Sequence, residues 1–235
     1  MSLFDVYSIS EVGKDVAGVA GNIFAFGLFV SPIPTFRRII RNESTEMFSG
    51  LPYFYSLLNC LICLWYGTPL ISPDNLLVTT VNSIGAAFQL VYIILFLMYA
   101  ERAKKVKMIG LLVAVLGIFA IILVGSLQIA DRSMRRTIVG FMSCASLVSM
   151  FASPLFIIKL VIRTKSVEFM PFYLSLSTFL MSTSFFLYGL ISDDGFIYIP
   201  NGIGTVLGMI QLILYFYYKS PSTEDCTEPL IVSYE

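Results

Sequence analysis

Residues 31–66 recur, reworded, at 153–188. Ser31-Pro32, a basic patch, Ser44-Thr45-Glu46, Pro52 and Tyr66-Gly67 are answered by Ser153-Pro154, a basic patch, Ser166-Val167-Glu168, Pro171 and Tyr188-Gly189. The echo continues downstream, where Asn82-Ser83-Ile84-Gly85 returns as Asn201-Gly202-Ile203-Gly204. A chain that carries such a block twice folds into two like units, and a site on their shared axis draws matching residues from both.

The solvent for those units is lipid. Of 235 residues 57% are hydrophobic, with only 15 basic and 15 acidic side chains, and the mean hydropathy is +0.84. Runs almost free of charge occur at 16–36, 51–72, 75–100, 108–130, 137–158, 169–192 and 196–218. Each is near the roughly 20 residues that cross about 30 Å of hydrocarbon as a helix. A closed barrel would need shorter segments that alternate between apolar and polar, and these runs are uniformly apolar. The expected fold is therefore an all-α integral membrane protein with seven transmembrane helices. Three helices, one, and three more leave both triplets entering the membrane in the same sense. The expected divisions are a first bundle over 1–100, an inversion linker helix over 101–133, a second bundle over 134–219 and a disordered cytosolic tail over 220–235.

Lys and Arg accumulate on the cytoplasmic side of short loops. With the first loop in the cytosol, eleven basic residues fall inside and four outside. This predicts an exoplasmic or lumenal N-terminus and a cytosolic C-terminus. The same orientation puts the sequon Asn42-Glu43-Ser44 in the cytosol, where it goes unused. The first apolar run is no cleavable signal, because acids precede it and three arginines follow it.

Several chemistries are excluded. The chain has no histidine, so the commonest metal ligand and proton relay are missing. No phosphate-binding loop of the Gly-x-x-x-x-Gly-Lys type is present, which argues against ATP hydrolysis. Cys60 and Cys63 have redox spacing but sit in an apolar helix with no base to activate a thiol, and read as small packing residues. No catalytic residue, cofactor or metal is expected. The predicted spans 51–72, 75–100 and 169–192 hold no acid, so uniport is simpler than proton coupling.

Asn82 and Asn201 lie inside apolar helices, where an unpaired amide costs several kcal/mol unless a partner or a wet cavity receives it. Two donors and an acceptor on each suit uncharged vicinal hydroxyls. Cys63 and Phe185 occupy matching places in the two copies, and a flat ring at the latter can meet the CH face of a sugar. Pro32, Pro52, Pro154 and Pro171 lie at one level and are hinge candidates. The repeat register is uneven. An offset of 122 links Leu28 to Met150, Pro32 to Pro154, Asn59 to Met181, Cys63 to Phe185 and Tyr66 to Tyr188, whereas 119 links Pro52 to Pro171 and Asn82 to Asn201.

Ser31-Pro32, Pro34-Thr35-Phe36, the stretch NESTEMFSGLP over 42–52, Leu58-Asn59-Cys60, Trp65-Tyr66-Gly67, Ser153-Pro154-Leu155, TKSVEFMP over 164–171, Tyr188-Gly189 and Ile199-Pro200-Asn201-Gly202 resemble the plant SWEET sugar transporters. The resemblance covers about residues 16–218 and implies a facilitative, bidirectional sugar carrier working by alternating access. It implies that Asn82 and Asn201 hold the sugar, with Cys63 and Phe185 above and below it. Leu28, Asn59, Met150 and Met181 would line the cavity, the four prolines would act as a hinge tetrad, and Tyr66, Tyr188 and Asp194 would close an exoplasmic gate. Bulky Met150 and Met181 resemble the branches that carry monosaccharides, and the short chain resembles the vacuolar subgroup. The implied partners are a glucose-like monosaccharide, the bilayer and further copies of the chain, a trimer being one option, with no nucleic acid. A seven-helix receptor needs no duplication, and a carrier of organic acids would want a cation in the bundle.

Overall fold

The computed structural model describes residues 3–219; the expected tail lies outside them. They form nine α-helices and, among the described residues, no strand. These are α1 (Leu3–Val30), α2 (Ile33–Asn42), α3 (Leu51–Gly67), α4 (Leu76–Tyr99), α5 (Arg102–Leu127), α6 (Arg132–Ser149), α7 (Ala152–Thr164), α8 (Phe172–Ile191) and α9 (Gly195–Tyr218). Because α1 with α2, and α6 with α7, each continue one apolar run, six spans are long and apolar enough to cross a membrane. The 17-residue α3 makes the seventh segment. The all-helical, seven-segment fold expected from hydropathy is the fold observed.

The first and fifth segments break close to Pro32 and Pro154, the prolines that the sequence marks as hinge candidates. At Ser31–Pro32 the proline nitrogen has no hydrogen for the preceding turn. The helix restarts when the Phe36 N–H reaches the Pro32 carbonyl at 3.1 Å, and the Tyr92 hydroxyl donates to the Phe29 carbonyl at 2.6 Å. In the fifth segment the turn falls at Met150–Phe151, and Pro154 sits in the first turn of α7. Pro52 is the second residue of α3 and Pro171 directly precedes α8. All four prolines therefore stand at helix starts, where a missing N–H costs least.

The backbone repeats itself in detail. Glu43 (φ 49°) ends α2 in the left-handed region, as Lys165 (φ 52°) ends α7, at the offset of 122. Asp74 (φ 69°) and Asp193 (φ 48°) precede the caps of α4 and α9 at the offset of 119. The shift between offsets has a physical site. From Pro52 to Tyr66 is 14 residues and from Pro171 to Tyr188 is 17, so the second copy inserts almost one helical turn in α8. It removes the excess in the shorter loop before α9.

By contact the chain divides into two compact units, 29–142 and 3–28 with 143–219. In the first, Phe36 stacks on Tyr92 at 4.6 Å and meets Tyr53 edge-on at 5.2 Å, fastening α2, α3 and α4 together. Such pairs add about 0.5–1.5 kcal/mol each beyond area burial. Helix α5 is pinned to this unit near both ends. Trp65 Nε1 donates to Ser126 Oγ at 2.9 Å, and Lys104 Nζ donates to the Glu46 carbonyl at 3.0 Å. Glu46 accepts from Arg38 Nε and Nη2 at 3.2 and 2.7 Å, and from Asn42 Nδ2 at 2.6 Å. These hydrogen bonds, chiefly that from Arg38, hold the Glu46 carboxyl below its ordinary range.

In the second unit α8 packs along α9, and α1 runs antiparallel to α8. The contacts Gly13 to Ile191, Gly21 to Phe185 and Gly27 to Ser177 trace that seam. Division by contact thus groups α1 with α8 and α9, whereas division by repeat groups it with α3 and α4.

Candidate functional site

Asn82 is half-buried on α4 and donates from Nδ2 to the Val78 carbonyl at 2.9 Å. Asn201 is buried on α9 and donates from Nδ2 to the Ile197 carbonyl at 2.8 Å. The two bonds are the same bond in two copies, since Val78 and Ile197 are also related by 119. Each uses one amide hydrogen and orients the group. The second N–H and the carbonyl oxygen of each have no partner among the described residues, which leaves a donor and an acceptor on each amide uncommitted.

The glycine three residues beyond each asparagine sets how closely the next helix approaches. A β-carbon on Gly85 would lie 2.8 Å from both Cys60 Sγ and Phe29 Cζ; one on Gly204 would lie 2.7 Å from Ser182 Oγ and 3.3 Å from Phe151 Cζ. Phe29 with Phe151, and Cys60 with Ser182, are pairs at 122. The longer register therefore holds through α8, and Asn59 with Met181 and Cys63 with Phe185 stand at equivalent places on α3 and α8.

Within its unit Cys63 is buried and its thiol faces Asn59 Oδ1 at 3.7 Å; among the described residues neither Cys60 nor Cys63 is in a disulfide. Phe185 is buried against Gly21 and lies edge-on to Tyr188, 6.2 Å between centroids. Leu28, Met150 and Met181 are half-buried. Asn82 and Asn201 belong to different units, and each is described within its own.

The residues expected at a gate are fully buried, Tyr66, Tyr188 and Asp194 each being 1% exposed. Asp194 caps α9, its Oδ1 accepting the Phe196 N–H at 3.1 Å. Its counterpart Asn75 begins α4 and donates to Ser72 Oγ at 2.6 Å. The glycines after the tyrosines press on the next helix. A β-carbon on Gly67 would meet the Thr79 nitrogen at 2.9 Å, and one on Gly189 the Tyr198 nitrogen at 2.6 Å.

Two residues without a role in the sequence reading stand beside the asparagines. Gln89 lies two turns beyond Asn82 on the same stripe of α4, is 8% exposed, and keeps a buried Oε1 with no hydrogen-bond partner among the described residues. A polar residue seven places after Asn82 in an apolar run was the available signal. Pro200, buried inside α9, immediately precedes Asn201 and removes one helix hydrogen bond there.

Like-placed amides on two copies of one helical block, in spans long and apolar enough to cross a membrane, fit the class of membrane carriers built by duplication, of which the SWEET proteins are a standing example. Comparison with known proteins agrees. A family model described as "Sugar efflux transporter for intercellular exchange" matches residues 15–104 and again 137–223, once for each copy. The chain belongs to the SWEET family of sugar transporters. It is 67% identical over 235 residues, all of both chains, to Bidirectional sugar transporter SWEET2 of Arabidopsis thaliana. It is 62% identical over 218 residues to SWEET2a of Oryza sativa subsp. indica, covering 93% of this chain and 89% of that one. A solved eukaryotic SWEET transporter superposes with a TM-score of 0.88 at 58% identity, over 89% of this chain and 98% of that chain.

Proposed function

We propose that this protein carries a glucose-like monosaccharide down its gradient in either direction, by alternating access. The observation that carries the reading is the duplicated amide geometry, Asn82 on Val78 and Asn201 on Ile197. Each offers hydrogen bonds without charge, as a neutral polyol requires. Cys63 and Phe185 flank the sugar, and Leu28, Asn59, Met150 and Met181 limit its size. Two triplets related by the repeat rock about Pro32, Pro52, Pro154 and Pro171, with Tyr66, Tyr188 and Asp194 closing the exoplasmic side. The basic loops face the cytosol and the N-terminus the lumen of the vacuole, and the working form is a homo-oligomer. Relatives named as bidirectional sugar transporters support the direction-neutral reading.

The test is a radiolabelled-sugar panel in proteoliposomes, with influx and efflux measured under equal and opposed gradients. The expected result is symmetrical equilibration of monosaccharides, with a pH gradient producing no accumulation. Uphill accumulation driven by protons would overturn uniport, and a preference for disaccharides would overturn the size assignment.

A further inference from the structure

We infer that a groove between α2 and α4 binds one anionic phospholipid, its acyl chain in the groove and its phosphate on Arg37 and Arg41. The groove encloses about 360 Å³. Phe36 and Tyr92 form its buried floor, and Ile40 and Val91, 42% and 52% exposed, form parts of its walls. Val91 lies nine residues beyond Asn82, two and a half turns at 3.6 residues per turn. The groove thus opens on the side of α4 opposite the candidate sugar site. An apolar slot on the outer face of a membrane helix is filled by hydrocarbon, because water gains no partners there.

The charge at its rim selects the headgroup. Arg37 lines the groove and, among the described residues, makes no hydrogen bond or ion pair. Arg41 follows one turn later on the same face, also without a hydrogen bond or ion pair among the described residues. Arg38 is excluded from this role, because its guanidinium is held by Glu46. Two guanidinium groups with no hydrogen bond or ion pair among the described residues, Arg41 interacting with the Glu46 carboxylate only through space, fit a phosphate diester carrying a chain, and basic pockets between membrane helices bind anionic headgroups in this way. Groove and charge together distinguish this place from the basic loops in general.

The full-length protein is equilibrated with vesicles of equal parts phosphatidylcholine and phosphatidylglycerol, and lipid retained per chain is counted by native mass spectrometry. The wild type is expected to keep one phosphatidylglycerol in preference to phosphatidylcholine. Arg37→Gln should lower that retention roughly fivefold, the weight of one arginine near a membrane surface. Ala87→Phe, which fills the slot and leaves both arginines, should abolish the preference, while sugar uptake by both variants persists. Equal retention of the two lipids, or an unchanged preference in both variants, overturns the site. Displacement by glycerol 3-phosphate would show a free phosphate ligand instead, and a change of oligomer mass in Ala87→Phe without loss of lipid would show a chain-to-chain contact. Either result contradicts the proposal, and neither depends on which sugar is carried.

Discussion

Phe185 occupies the space that a β-carbon on Gly21 would need, its Cε2 and Cδ2 lying 2.7 and 2.9 Å from that position. Only a residue without a side chain lets α1 lie this close to α8 and hold the ring in place. Gly21→Ala must move the ring, at a cost of about 1–3 kcal/mol for an overpacked contact. If Phe185 flanks the sugar, the variant raises the KM for transport by roughly five- to tenfold. Gly27→Ala is the matched control, since its β-carbon meets Ser177 Oγ at an ordinary 3.4 Å. Equal KM values for the two variants and the wild type would remove Phe185 from the binding surface.

Glu46 ties Arg38, Asn42 and Lys104 into one clasp. Its carboxyl is held below the ordinary value of 4.5, chiefly by the Arg38 hydrogen bonds, so the folded state favours the ionised form. That contribution is complete above 4.5 and is lost as pH falls through the lower folded value. Thermal melting of the wild type should therefore decline on acidification below that point more steeply than melting of Glu46→Gln. Parallel melting curves for the two proteins across the acid range would contradict the clasp. The second copy places Leu160 where Arg38 stands, so Glu168→Gln should lack the effect.

Gln89 buries a carbonyl oxygen that no described residue satisfies. An unmet buried acceptor costs about 1–3 kcal/mol, and an apolar side chain of the same shape removes that cost. Gln89→Met should raise the stability of the protein by about 1–2 kcal/mol in detergent unfolding. A loss of stability would show that the amide holds a bridging water. If transport falls as stability rises, Gln89 belongs to the sugar path.

Hydropathy and the repeat made the seven segments legible because lipid permits only helices and closed barrels, and long uniformly apolar runs fit the helix alone. Where those segments break was only half legible. Pro32 marks its own break, but the second copy turns at Met150–Phe151, three residues before Pro154, and proline position alone does not distinguish the two. The ends of the first span were also underestimated. Helix α2 continues through Arg37, Arg38 and Arg41 to Asn42, since hydrogen bonding does not stop where charge begins. For the candidate site, the asparagine pair was visible as polar residues in apolar runs. The packing that fixes its register was not, because Gly85 against Cys60 and Gly204 against Ser182 relate residues on different helices. The repeat does not mark Gln89, because the second copy has Gly208 at its position.

In the proposed mechanism one amide from each copy grips the same sugar. The most direct measurement is equilibrium sugar binding and proteoliposome uptake for Asn82→Ala, Asn201→Ala and the double variant, each with its membrane insertion and folding verified. Either single change is expected to abolish uptake and to weaken binding by at least tenfold, or about 1.4 kcal/mol. If both amides serve one site, the double change should add little to the loss in uptake. Normal binding and uptake in either single variant would contradict that mechanism.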